Sequence, residues 1–118
     1  MIDHFNLPVS DLAETARFYE RVLSCLGYRR VAQDGPAIGF GTDSWAFGII
    51  ETRDAIAPLH LAFKAGSEAE VDAFYKAGLS EGAADNGAPG LRPEYGGGYY
   101  AAYLCDPDGH NIEAVFRG

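Results

Sequence analysis

The sequence predicts an α+β fold in which two tandem modules each consist of a strand, a helix and three further strands. Three observations predict it. The chain contains an internal repeat, each copy passes from strand-like to helix-like apolar spacing, and short apolar runs broken by Gly, Pro and Asp follow each helix. Apolar residues recur every second position in a half-buried strand and every third or fourth in a helix. Antiparallel sheets with helices on one face are typical of this class.

The internal repeat aligns residues 4–23 with residues 60–79 without a gap, at a shift of 56 residues, the difference between positions 60 and 4. The identical pairs are His4 with His60, Ala13 with Ala69, Glu14 with Glu70, Phe18 with Phe74, Tyr19 with Tyr75 and Leu23 with Leu79. We interpret the match as a tandem duplication. Module one covers about residues 1–52 and module two about residues 58–118 of a single domain. The joining residues are too few to separate independent domains.

The first copy opens on a strand and continues into a helix. Phe5, Leu7 and Val9 alternate with more polar residues, and Asp11 with Glu14 predicts the start of the helix. One apolar stripe then follows the helix and consists of Leu12, Ala16, Tyr19, Leu23 and Leu26. Apolar runs at about residues 28–32, 37–40 and 44–51 predict the three remaining strands of module one.

Module two repeats this order. Leu59, Leu61 and Phe63 alternate along a strand, and Ser67 with Glu70 predicts a capping box before the second helix. Strands are expected at about residues 99–105 and 111–116, with another before the Gly-rich segment. The Gly- and Pro-rich residues 86–98 predict a long irregular loop.

The composition argues against several classes of partner. Nine Lys and Arg against 17 Asp and Glu give a net charge of −8, which disfavours nucleic acid and anionic membrane surfaces. No apolar run is long enough to span a membrane, and the N-terminus lacks the pattern of a signal peptide. Cys25 and Cys105 are too few for a disulfide framework. We therefore expect a cytoplasmic protein with two buried thiols.

Strand parity suggests a metal site. Side chains alternate between the two faces of a strand, so His4, His60 and Glu113 are each expected on the face that carries no helix. If the two sheets curl toward each other, the three side chains line one cleft and could bind a divalent ion. Each also has a simpler interpretation. Either His could be a hydrogen-bonded core residue, and Glu113 could be solvated or paired with Arg117.

The paired modules, the two strand His residues and the closing turn and strand DPDGHNIE resemble the vicinal oxygen chelate superfamily over essentially the whole chain. This superfamily includes glyoxalase I, bleomycin- and fosfomycin-resistance proteins and extradiol dioxygenases. The resemblance implies a cupped, curved mixed sheet with helices on the outside. It implies that His4, His60 and Glu113 bind Zn, Ni, Mn or Fe, that the ion chelates adjacent oxygens of a small-molecule substrate, and that the protein is a homodimer.

The resemblance leaves the reaction open between lyase or isomerase chemistry, group transfer and oxygenation. Glyoxalase I has a fourth ligand, a Glu in the last strand of the first module, and here Glu51 comes too late in that strand to take its place. The metal-free alternative is a binding or sequestering protein of the bleomycin-resistance type. Candidate substrate contacts are Trp45, Phe47, Arg92, Tyr95, Tyr99 and Tyr100. A solvated Arg92 and a Tyr99–Tyr100 strand start in the core remain the simpler alternative.

Overall fold

The computed structural model describes residues 1–118 and consists of two βαβββ modules. Module one contains β1 (Phe5–Val9), α1 (Leu12–Ser24), β2 (Arg29–Asp34), β3 (Ala37–Gly41) and β4 (Phe47–Glu51). Module two contains β5 (His60–Lys64), α2 (Glu68–Ser80), β6 (Ala84–Leu91), β7 (Tyr99–Cys105) and β8 (Asn111–Arg117), with a 3₁₀ turn at Pro93–Tyr95. The predicted fold class and module order are confirmed.

Each module forms its own four-stranded mixed sheet. The strand orders are β1-β4-β3-β2 and β5-β8-β7-β6, so the two sheets have the same topology. In each sheet the first strand runs parallel to the last strand of its module, and the other pairs are antiparallel. The two sheets are not hydrogen-bonded to each other, and β1 and β5 are edge strands.

Both helices begin at the caps that the sequence predicts. The Asp11 side chain accepts a hydrogen bond from the backbone N–H of Glu14, and the Ser67 side chain accepts one from the N–H of Glu70. The Glu70 carboxylate in turn accepts from the N–H of Gly66. These bonds satisfy N–H groups that have no partner inside the helix, and they fix where each helix starts.

The helix-covered sides of the two sheets meet in one core. Leu7 of β1 and Ile112 of β8 are fully buried and belong to the same hydrophobic cluster. The helices α1 and α2 contact each other, and the rings of Phe47 and Phe63 meet across the modules with centroids 5.0 Å apart. Each sheet therefore has a second side that carries no helix, which we call the outer face of its module.

The DPDGH turn between β7 and β8 connects the modules. The Tyr19 hydroxyl donates to Asp106 Oδ2 at 2.6 Å, and the Ser10 hydroxyl donates to Asp108 Oδ1 at 2.6 Å. The buried His110 donates from Nε2 to the Pro8 carbonyl and accepts at Nδ1 from a backbone N–H of module two. Asp106 also accepts from two N–H groups within the turn. The turn thus anchors the last strand to module one.

The Gly-rich segment corrects one prediction. The strand that the sequence predicts before this segment, β6, covers residues 84–91 and therefore includes residues 86–91, which the sequence predicts as irregular loop. The strand pairs with β7 through two register shifts, and Gly87 adopts a φ of +147° that other residues rarely take. A Cβ at Gly87 would lie 2.9 Å from Tyr103 Cδ1, so the glycine also makes room for that ring. The loop is confined to the residues around the 3₁₀ turn.

Two further features concern the sequence expectations. No helix is both long and apolar enough to cross a membrane. Cys25 and Cys105 are free thiols, and both are half-buried rather than fully buried.

Candidate functional site

Strand register shows which residues of the two outer faces correspond. Asn6 and Ala62 are equivalent in the repeat, and their partners on the adjacent strand are Gly48 and Glu113. One strand further, Gly48 pairs with Gly39, whereas Glu113 pairs with Tyr103. Module one therefore has two glycines where module two has a carboxylate and a phenol.

Glu113 is the centre of the module-two outer face. Its side chain is only 2% exposed, and both carboxylate oxygens have partners. Oε1 accepts from the Tyr99 hydroxyl at 2.5 Å, and Oε2 lies 2.5 Å from His60 Nε2. A buried carboxylate needs such partners because its desolvation is costly. The His60 ring is 55% exposed, so one side of this group is accessible from solvent.

Aromatic and basic groups surround this pair. The Arg117 guanidinium lies 4.8 Å from the Tyr99 ring centroid, and the Arg92 guanidinium lies 5.3 Å from that of Tyr103. The Tyr95 ring packs against Tyr99 at 5.3 Å. The pKa of the Tyr99 hydroxyl is raised well above its usual range. Burial is the larger cause, and the hydrogen bond to Glu113 is the second. Tyr99 is therefore a hydrogen-bond donor to Glu113 and not a base.

Trp45 dominates the outer face of module one. Its indole lies over Gly39 and Gly48, and a Cβ at Gly48 would be 2.5 Å from the indole Nε1. The indole N–H donates to Asn6 Oδ1 at 2.8 Å. The position equivalent to Glu113 is thus covered by an aromatic ring.

His4 lies apart from the other two predicted ligands. Its Nδ1 is 2.9 Å from Asp3 Oδ1, and the ring is 60% exposed. It lines a concave surface of about 680 Å³ together with Asn6 and Trp45. The structure brings His60 and Glu113 together, but the chain contains no group of three or more His, Cys, Asp or Glu that could hold a metal ion. The single cleft expected from strand parity is not formed within one chain.

Three other candidates lie away from the outer faces. The Glu51 carboxylate accepts from the Leu12 N–H at 3.3 Å, at the first turn of α1. Phe47 is a core residue, because its side chain points to the helix side, opposite to Gly48. Tyr100 also points to the helix side, where its hydroxyl donates to Asp72 at 2.7 Å. Of the aromatic and basic candidates, Trp45 is on the outer face of module one, and Arg92, Tyr95 and Tyr99 are around Glu113.

A separate cavity of about 550 Å³ lies between the modules. Most of its lining is apolar, including Phe5, Phe40 and Phe63, and the edge strand β5 forms one wall. His60 is one of its lining residues and Glu113 is not, so the cavity adjoins the polar pair on the His60 side.

Two features of the site were missed by sequence reasoning. Tyr103 shares the parity of Tyr99 along β7, and this alternation could have placed it on the outer face. No pattern in the sequence indicates that Gly48 and Glu113 are equivalent. Their separation is 65 residues, the difference between positions 113 and 48, whereas the repeat shift is 56. The equivalence is visible only in the strand register.

Comparison with known proteins gives a consistent result. The family model for the Glyoxalase/Bleomycin resistance protein/Dioxygenase superfamily matches residues 1–114. The structure is similar to that of a glyoxalase/bleomycin resistance protein from Albidiferax ferrireducens T118, with 30% identity, 98% coverage of each chain and a TM-score of 0.84. It also resembles the oxidase ChaP-H2, with 26% identity, coverage of 100% of this chain and 94% of the other, and a TM-score of 0.71.

A glyoxalase-related enzyme from Fulvimarina pelagi shares the fold at 21% identity, with 98% of this chain and 87% of the other covered and a TM-score of 0.75. No curated protein sequence gave a significant match. Because the family model spans nearly the whole chain and the Albidiferax protein matches along its full length, this chain belongs to the glyoxalase/bleomycin resistance protein/dioxygenase superfamily.

Proposed function

We propose that the protein is a cytoplasmic, metal-dependent enzyme that binds a small molecule with adjacent oxygens at the outer face of module two. His60 and Glu113 would hold the ion, with the third ligand, His4, coming from a second copy of the chain. The observation that carries the proposal is the convergence of His60 Nε2 and Glu113 Oε2 at 2.5 Å on a nearly buried carboxylate.

The donor set fits a divalent ion in part. One imidazole nitrogen and one carboxylate oxygen are a pair that Zn, Ni, Mn and Fe accept. A third protein donor is missing within the chain. The half-exposed His4 on the other outer face has the matching chemistry, and two chains in a symmetric dimer would each supply it to the other.

The chemistry follows from the donors. A divalent ion at this position would act as a Lewis acid toward two neighbouring oxygens of the substrate. Tyr99 would keep the Glu113 carboxylate oriented through its hydrogen bond. The exposed side of His60 leaves space for a substrate to approach. Isomerisation or lyase chemistry, group transfer and oxygenation are all compatible with these roles.

A metal-free binding protein is the second candidate. It is favoured by one observation, that both oxygens of Glu113 already have hydrogen-bond partners without an ion. In that case the hydrogen bonds of Glu113 to His60 and Tyr99 are structural, no ion is bound, and the protein binds the small molecule without converting it.

A mixing experiment tests the proposal. His4→Ala and His60→Ala chains should each fail to bind Ni, Zn, Mn or Fe in calorimetric titration. Co-refolded as a mixture, the mixed dimers should regain one of their two sites, since one site then has both an intact His60 and an intact His4. Cys105→Ala, on the same sheet, is the matched control and should bind normally.

Two results would contradict the proposal. Wild-type protein purified without chelator that contains and binds no divalent metal would favour the sequestering alternative. If His4→Ala binds metal as tightly as wild type, the ligand from the second copy is wrong.

A further inference from the structure

The indole of Trp45 is held in a slot that offers a ligand only a flat face. Gly39 and Gly48 face each other on neighbouring strands, and the absence of both Cβ atoms lets the ring lie against the sheet. Asn6 Oδ1 accepts the hydrogen bond from the indole N–H, so the ring has no further hydrogen-bond donor for a ligand. Trp45 is nonetheless half-buried rather than buried, because the other side of the ring lines the concave surface that also contains His4.

Apart from the titratable His4, the charged side chains that line this surface are acidic. Asp3 and Asp34 line it, and no Lys or Arg does. An exposed indole face attracts cations and flat rings through its π electrons, and Trp is the strongest of the aromatic side chains in this respect. Carboxylates nearby would oppose an anionic ligand.

We propose that Trp45 is a specificity-determining residue that stacks a flat, uncharged or positively charged ring of the ligand. The inference deepens the proposed function by naming a ligand class, and it rests on that function only in placing the small molecule between the outer faces. Module one would then supply recognition through an aromatic ring, and module two the polar group His60–Glu113.

The test uses three probes that separate shape from charge. Benzamidine is a flat cation, cyclohexanecarboxamidine carries the same charge on a puckered ring, and benzoate is a flat anion. Isothermal titration of the full-length protein freed of metal with a chelator, so that the benzoate carboxylate has no ion to coordinate, should give the tightest binding for benzamidine. The chain has one Trp, so a single indole N–H resonance should shift in NMR spectra during the titration.

Variants then assign the effect to the slot. Trp45→Ala should weaken benzamidine binding about tenfold, in the range of a desolvated cation–π contact. Trp45→Phe should recover part of this loss. Gly48→Ala should weaken binding while keeping the Trp, because its Cβ would displace the indole. Circular dichroism spectra like that of wild type would show that each variant is folded.

Equal affinity for the flat and puckered cations, unchanged binding by Trp45→Ala, or tighter binding of benzoate would each overturn the inference. These outcomes differ from failure of the proposed function. If the wild type binds no metal but binds benzamidine through Trp45, the metal proposal fails and the stacking role stands. If metal binding follows His4, His60 and Glu113 while Trp45→Ala binds benzamidine normally, the reverse holds.

Discussion

The outer faces of the two modules have the same strand order and register, but different chemistry at their centres. In module two, Glu113 is buried between Tyr99 and His60. In module one, the equivalent position is Gly48, and the Trp45 indole covers it. The comparison teaches that a duplicated scaffold fixes where a side chain will point, whereas the residue at that point decides whether the face is polar or aromatic.

The strand register also shows that Glu51 does not occupy the position equivalent to Glu113. Its carboxylate is the one acidic group on β4, but it pairs in register with Val9, three positions beyond Gly48. It lies at the first turn of α1, where a negative charge stabilises the N-terminus of a helix. Module one therefore also has a carboxylate in its last strand, but this carboxylate accepts a hydrogen bond at the N-terminus of α1 and does not lie on the outer face.

The largest expected effect comes from removing the module-two acid. Glu113→Gln should lower divalent metal affinity about 100-fold or more, because a neutral amide is a far weaker ligand than a carboxylate. Glu51→Gln, which neutralises the one acid in the last strand of module one, should bind metal like wild type. Calorimetric titration measures the metal affinity of both variants. Equal losses of affinity in the two variants would contradict the placement of the metal site in module two.

A transplant tests the comparison from the other side. Gly48→Glu combined with Trp45→Ala would place a carboxylate beside His4, as Glu113 lies beside His60. In the proposed dimer this adds a fourth donor, and we expect metal affinity to rise about tenfold. The Trp45→Ala single variant is the control. Unchanged affinity in the double variant, with a normal circular dichroism spectrum, would show that His4 and Gly48 do not face the ion.

Tyrosine–carboxylate pairs allow a comparison of buried and more exposed bonds. Tyr19→Phe removes the hydroxyl that donates to the buried Asp106 across the module junction. It should lower the free energy of unfolding by about 1–3 kcal/mol, since a buried acceptor loses its partner. Tyr100→Phe, which breaks the less buried bond to Asp72, should cost less than about 1 kcal/mol.

Urea unfolding of these two variants measures the difference. If Tyr100→Phe is the more destabilising, the greater burial of the Tyr19–Asp106 bond does not determine its contribution to stability.

The smallest effect concerns the pH dependence of the same junction. Burial raises the pKa of the Asp106 carboxyl above its ordinary value of 3.8, despite the bonds from Tyr19 and the turn. The native state therefore holds this proton more tightly than the unfolded chain. The stability that protonation contributes is complete below pH 3.8 and is lost as the pH rises through the raised value.

Comparison with Asp106→Asn isolates this contribution. The stability of wild type relative to the variant should fall as the pH rises above 3.8 and through the raised pKa of the Asp106 carboxyl. Urea unfolding at several pH values measures it. A relative stability that rises over the same range would mean that the hydrogen bonds to Asp106 outweigh its burial.

The repeat and the apolar spacing determined most of the fold. They predicted both helices with their caps, the order of the elements and the helix-facing sides of β1 and β5, because these depend on local periodicity and on side chains close in sequence. Local patterns also placed His60 and Glu113 on one face. A strand was expected before the Gly-rich segment, but its extension to Leu91 was missed, because its pairing depends on bulges and on the space that Gly87 leaves for Tyr103.

The sequence by itself determined the duplication and the α+β class, and it predicted His4, His60 and Glu113 as one candidate set. Only the tertiary structure decided that His4 lies apart from the other two, that Gly48 is the counterpart of Glu113, and that Trp45 covers it. The physical reason is that parity tells to which side of its own sheet a residue points. How two sheets are oriented toward each other depends on the shared core and on the DPDGH turn, which join residues about 100 positions apart.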